Sequence, residues 1–176
     1  MAGQRLTDKT ALTEQAGSGD LLMVVDVSDT TGSSAGTSKK MDFKYVIQTD
    51  KISVSNAEIL DLHNNEKILV GALSGYMITP ITATCLVTYA ASTESSNKNL
   101  FFGFDDSSTS MYWDIGSRIM GGLTTDNTYI FGGHQAGSGV KASSTINTPL
   151  VIWSSGAFNG GWSMDVYITY AYTKVL

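Results

Sequence analysis

The sequence predicts an all-β protein, an antiparallel β-sandwich of jelly-roll type preceded by a small N-terminal β segment. Three observations carry that expectation. From about Ser53 onward, short runs rich in β-branched and aromatic residues are separated by clusters of Gly, Asn, Ser and Asp, the rhythm of strands and tight turns. The stretch 162–174 alternates, with Trp162, Met164, Val166, Ile168, Tyr170 and Tyr172 on one face and Ser163, Asp165, Thr169 and Thr173 on the other. No amphipathic run of helical period exceeds about two turns, which argues against a helical or α/β domain.

The chain has 176 residues, of which 42% are hydrophobic, including 8 Tyr, 6 Phe and 3 Trp. That length supports one domain core of ordinary size with a short additional module. The expected organisation is an N-terminal anchoring segment over 1–51 and a sandwich over 52–176. In the first part, LTDKTALTEQ reads as a helical turn or an extended arm, LLMVVDV as a strand without alternation, and MDFKYVI as a second strand-like run with apolar residues at 41, 43, 45 and 47. Two strands alone are marginal in water, so burying LLMVV requires a partner, for which another subunit is the expectation. In the second part, strands are expected near 57–62, 67–73, 76–90 with a bend at Pro80, 99–105, 111–117, 127–133, 148–154 and 162–174. The loops between them fall at 92–98, 105–110, 134–147 and 155–161.

Charged residues are only 15%, and 16 acidic against 11 basic residues leave a formal net charge of −5. Such a surface has no electrostatic footprint for a phosphate backbone, so no nucleic acid is expected as a partner. The one basic cluster, Lys39, Lys40 and Lys44, reads as a solvated strand end beside Asp42. No run of 18 apolar residues is present, so no membrane insertion is expected, and MAGQRLTDKTALTEQAGSGD lacks a signal-peptide core.

Motifs for chemistry are sparse. Gly32-Ser33-Ser34-Ala35-Gly36 matches the spacing of a nucleophile elbow, but that motif needs a strand turning directly into a helix, and TSKKMDF follows instead. Cys85 is the sole cysteine, placed on the apolar face of ITATCLVTY, where it packs as a small hydrophobe. His63 and His134 lack companions at metal-ligand spacing, and Asp105-Asp106 reads as a hairpin tip. Asp105, Asp114, Asp126 and Asp165 are the carboxylates available to a polysaccharide hydrolase, with no spacing to recommend a pair. The expectation is therefore a non-enzymatic protein with no catalytic residue, no metal and no cofactor. Among the aromatic residues, Trp113 and Phe158 are the candidates for contact with a sugar, Phe158 because SGAFNGGW sets it in a Gly-rich turn.

The run RLTDKTALTEQAGSGDLLMVVDVSDTTGSSAGTSKKMDFKYVI resembles the N-terminal segment of virion structural proteins of tailed bacteriophages. The resemblance rests on the strand from Asp20 to Asp29 with its Asp-Thr-Thr ending, the Gly-Thr-Ser-Lys-Lys re-entry at 36–40, and the apolar alternation after it. Family members continue from the two lysines with a short Thr- and Leu-rich segment, where this chain reads MDFKYVIQTDKI. The phrase ISVSNAEILDLHNNEKILVGALSGYMI resembles the opening of phage β-sandwich domains. Together these resemblances imply a virion protein, a head fibre or capsid-decorating homotrimer attached through its N-terminal segment to other virion proteins of capsid or tail. Leu21, Leu22, Met23, Val24, Val25, Lys39, Lys40 and Phe43 are then the assembly and anchoring residues. The alternative reading is a tail-fibre protein whose sandwich loops contact a glycan of the host surface.

Overall fold

A computed structural model describes residues 21–42, 46–104, 111–115, 121–132 and 142–175. The chain divides into two compact units between Val46 and Ile47. In the first unit, β1 (Leu21–Asp26) pairs antiparallel with β2 (Thr37–Asp42), in a register that sets Val24 opposite Lys39 and Val25 opposite Ser38. The second strand thus begins four residues earlier than MDFKYVI suggested and recruits the polar TSKK. Apolar content misplaced it because the ladder is fixed by the loop across 27–36.

The second unit is an all-β antiparallel sandwich. Its strands are β3 (Gln48–Val54), β4 (Lys67–Val70), β5 (Tyr76–Tyr89), β6 (Leu100–Gly103), β7 (Met111–Ile115), β8 (Asn127–Gly132), β9 (Leu150–Ser154) and β10 (Trp162–Lys174). They form two four-stranded sheets, ordered β3-β10-β5-β8 and β4-β9-β6-β7, with every pairing antiparallel. Except at β6 and β7, which are sheet neighbours, consecutive strands alternate between the sheets. That order is the jelly roll. The division expected at 51/52 falls inside β3.

β10 is the central pairing strand of the first sheet, and its alternation sorts the layers. Met164, Val166, Ile168 and Tyr170 face inward beside Val54, Ile52, Cys85 and Ala83, while Asp165, Tyr167 and Thr169 face outward. Outward hydroxyls pair across strands, Thr49 with Thr169 and Thr79 with Thr173, each at 2.8 Å. From the opposite sheet, Leu100, Phe102, Trp113, Leu150 and Ile152 complete the core, each fully buried. Phe102 meets Trp113 edge to face at 6.1 Å between centroids and Phe131 at 5.8 Å, geometries that aromatic quadrupoles favour. Where β10 passes Pro80, the register shifts between Thr169 and Tyr170. Proline has no N–H for the ladder, and a bulge absorbs the missing bond.

One expected strand is a helix. Residues 57–61 belong to α1 (Asn56–Asp61), which Leu62 caps at its end and Ser55 at its start; the Ser55 side chain accepts from the Glu58 N–H while the Glu58 carboxylate accepts from the Ser55 N–H. That reciprocal pair satisfies two donors that a helix start leaves open. Ile59 and Leu62, three apart, are both buried, at 0% and 1% exposure. One turn of helix places them on the same face.

Candidate functional site

Among the anchoring residues read from the sequence, those of β1 are exposed except for the half-buried Val24. Leu21, Met23 and Val25 share one face of the hairpin and are 56%, 69% and 56% accessible, and Val27 follows at 74%. Leu22 and Val24 lie on the other face, exposed and half-buried. Among the described residues the hairpin is a two-stranded ribbon without a second layer, and none of them covers either face.

The loop that closes the hairpin is held by charge. Lys39 Nζ donates to Asp26 Oδ2 and Asp29 Oδ2, both at 2.9 Å. The remaining oxygen of each carboxylate closes a local turn. Asp26 Oδ1 accepts from the Ser28 N–H and hydroxyl, and Asp29 Oδ1 accepts from those of Thr31. The Lys39 ammonium and the Thr31 donors hold the Asp29 carboxyl down to about 2, and Ser28 with Lys39 holds Asp26 below the usual carboxylate range. Gly36 completes the turn at φ +114°, where a Cβ would stand 2.8 Å from the Asp26 carbonyl oxygen. Lys39 therefore braces the loop, whereas Lys40 is exposed and pairs across the ribbon with Met23. Phe43 lies outside the described residues.

The two candidate sugar contacts are not on the surface. Trp113 is 0% exposed and Phe158 is 3% exposed. Trp113 faces inward from β7 against Phe102 and Phe131, and Phe158 packs edge to face on Trp162 at 5.2 Å. A Gly-rich turn suggested an exposed ring, but the turn is drawn onto the sandwich by a buried carboxylate. Glu94, 1% exposed, accepts from the backbone N–H of Asn159 and Gly160 and from the Trp162 indole at 3.1 Å, with the Ser96 N–H at 2.8 Å. Burial opposes its charge, yet these donors together hold its carboxyl below the ordinary value. Loops 92–98 and 155–161, far apart in sequence, are one structure. Truncating Trp113 or Phe158 would cost about 3–5 kcal/mol of core packing, so either substitution reports on folding.

The remaining chemical candidates are separated by the fold. Ser34 sits in the exposed hairpin loop and is followed by β2, a strand, where an elbow needs a helix. Cys85 is 0% exposed, and burial pushes its thiol up to about 12. Asp165 faces outward from the first sheet, paired with Lys51 at 2.8 Å, while Asp114 faces outward from the opposite sheet. The sandwich stands between them, so they form no catalytic pair. Asp126 accepts from the Tyr89 N–H at 2.8 Å. Asp105, Asp106 and His134 lie outside the described residues. Among the described residues, no three His, Cys, Asp or Glu converge as a metal would require, and no helix is long and apolar enough to cross a membrane.

No protein-family model matches the sequence, and no curated protein matches it. Among solved structures, a chain of the "Cyanophage Pam1 capsid asymmetric unit" aligns over 98% of this chain and 99% of its own length, with a TM-score of 0.40 and 12% identity. That likeness is too distant to decide a role.

Proposed function

We propose that the protein is a non-enzymatic structural component of a bacteriophage virion, a head fibre or capsid-decorating homotrimer that attaches through its N-terminal segment. The observation that carries this reading is the apolar row Leu21, Met23, Val25 and Val27, exposed on a hairpin that has no covering layer among the described residues. Exposed rows of this kind mark contact surfaces, and a closed symmetric oligomer or a particle surface would cover it. The sequence resemblance of residues 5–47 to virion anchoring segments supports the same reading. Lys39, locked to two aspartates, gives the hairpin a fixed loop to present, so attachment would not have to order it first.

The test substitutes Met23, Val25 and Val27 together by Ser in the full chain. These side chains are exposed, so the sandwich should melt unchanged, while incorporation into particles and the trimer mass in solution should both be lost. Particles that retain the triple variant at the parental copy number would sink the reading.

A further inference from the structure

Loop 155–161 carries the chain's sole Asn-Gly pair, Asn159-Gly160. In an unfolded chain such a pair is prone to deamidation, because the glycine puts no side chain in the way of ring closure and leaves the backbone free to turn. The Gly160 nitrogen attacks Cγ of the Asn159 side chain. A bond forms between that nitrogen and Cγ, the bond from Cγ to Nδ2 breaks, and Nδ2 leaves as ammonia with the proton that the Gly160 nitrogen gives up. Water then opens the five-membered succinimide at either carbonyl, which yields aspartate or isoaspartate.

In the folded chain both reacting groups are held by other partners. The Gly160 N–H donates to Glu94 Oε2 at 2.9 Å, and the Asn159 N–H donates to the same oxygen at 3.1 Å. The Asn159 amide is bonded to Ser95 through both of its ends, Oδ1 accepting from the Ser95 N–H at 2.9 Å and Nδ2 donating to the Ser95 hydroxyl at 3.0 Å. On its other side Gly160 is fixed by its carbonyl, which accepts from the Asn56 side chain at 3.0 Å. Gly160 is buried, and a Cβ there would stand 2.7 Å from Trp162 Cδ1. Ring closure needs the Gly160 nitrogen to shed its proton beside a carboxylate, and a like charge so close disfavours the nitrogen anion. It also needs the Asn159 side chain to leave Ser95. Both conditions are met only when loops 92–98 and 155–161 part, so the reaction waits on that local opening.

Conversion would also prevent the loops from closing as before. Aspartate at 159 sets a second negative charge against Glu94 and removes the Nδ2 donor from Ser95. Isoaspartate adds a backbone methylene between the two N–H groups that share Glu94 Oε2, so their spacing no longer fits one oxygen. We propose that Asn159-Gly160 is a latent deamidation site guarded by Glu94 and Ser95, a device that turns a transient parting of the two loops into a permanent covalent mark. The proposal goes beyond virion attachment and rests on the sandwich alone, so its outcome and that of the hairpin test are independent.

Peptide-mapping mass spectrometry tests it on the full chain aged at mildly alkaline pH, native and in guanidinium chloride. The denatured chain should convert at Asn159, and the native chain should convert there at least about tenfold more slowly, as a step gated by local opening requires. Glu94→Gln keeps the side-chain size but removes the charge that binds both N–H groups, and should raise the native rate about tenfold. Ser95→Ala, at an exposed position, removes the hydroxyl partner of Nδ2 and should raise the native rate about threefold with the melting temperature unchanged. It remains informative if Glu94→Gln does not fold. Native conversion as fast as in the denatured chain overturns the proposal, as does a denatured chain that keeps Asn159 intact or a native rate left unchanged in the folded variants.

Discussion

At the residue scale, the most consequential side chain is Glu94, which sequence patterning leaves unmarked because it lies in a polar loop, ASTESSNKN, with no periodicity to flag burial. Its carboxylate draws 155–161 inward, orders Trp162 at the start of β10, and removes Phe158 from solvent. Neighbouring glycines permit the approach. A Cβ on Gly161 would stand 2.7 Å from the Ser92 nitrogen, whose own residue accepts from the Gly161 N–H. Glu94→Ala leaves the Gly160 N–H and the Trp162 indole without their acceptor in a dry site. Each such buried donor costs about 1–3 kcal/mol, so the variant should lose about 3 kcal/mol in a denaturant titration. Fluorescence of Trp162 should shift to the red as water enters. A loss below about 0.5 kcal/mol, within the scatter of surface substitutions, would show that the loop is held by its apolar contacts alone.

At the element scale, α1 shows what was legible and what was passed over. Strand reading of 57–62 followed the apolar content of AEILDL, yet Ser55-Asn56-Ala57-Glu58 carries the capping-box spacing and Ile59 with Leu62 the helical one. Local capping prevailed over β-propensity because a six-residue turn needs only one buried edge. β10 was legible to its last residue because strict alternation leaves one register that buries its apolar face. β3 was not, since its first half carries the buried polar Gln48 and the exposed Asp50 in place of an apolar alternation. They are tied there by Tyr170, whose hydroxyl lies 2.9 Å from Gln48 Oε1 and 2.8 Å from Asp50 Oδ2. The pairing of Phe101 with Trp153 was equally hidden, because the two rings meet only through the β6–β9 register. Glu58 also gives α1 a pH signature. Lys67 and the Ser55 donors lower its carboxyl from 4.5 to about 2. A depressed folded-state pKa contributes stability above the unfolded value and loses it as pH falls through the folded one. The helix cap should therefore weaken between about pH 4.5 and pH 2, and Glu58→Gln should flatten that part of the stability profile. The check is the amide exchange rate of Ile59 followed across the window, and an equal pH response in both proteins would reassign the effect to another carboxylate.

At the scale of the whole molecule, the two units differ in what can hold them together. Every buried hydrophobic side chain among the described residues falls between Val54 and Tyr170. The hairpin contributes none. Its ladder and its Lys39 bridge are solvent-exposed, and exposed ion pairs contribute little to stability. The sandwich in contrast closes two four-stranded sheets over a continuous aromatic and aliphatic core, the arrangement that supports independent stability. Deleting residues 1–46, which keeps all of β3, should thus leave a cooperative thermal transition within about 4 °C of the full chain, since a change under 1 kcal/mol moves a domain of this size no further. A cut after residue 51 would remove the first half of β3 and with it the Gln48 and Asp50 contacts to Tyr170, and should lower the transition well beyond that margin. Circular dichroism melts of the two truncations decide the matter. If both melt like the full chain, the stabilising role assigned to the start of β3 is wrong; if neither folds, the sandwich depends on its N-terminal segment and the segment is more than an attachment element.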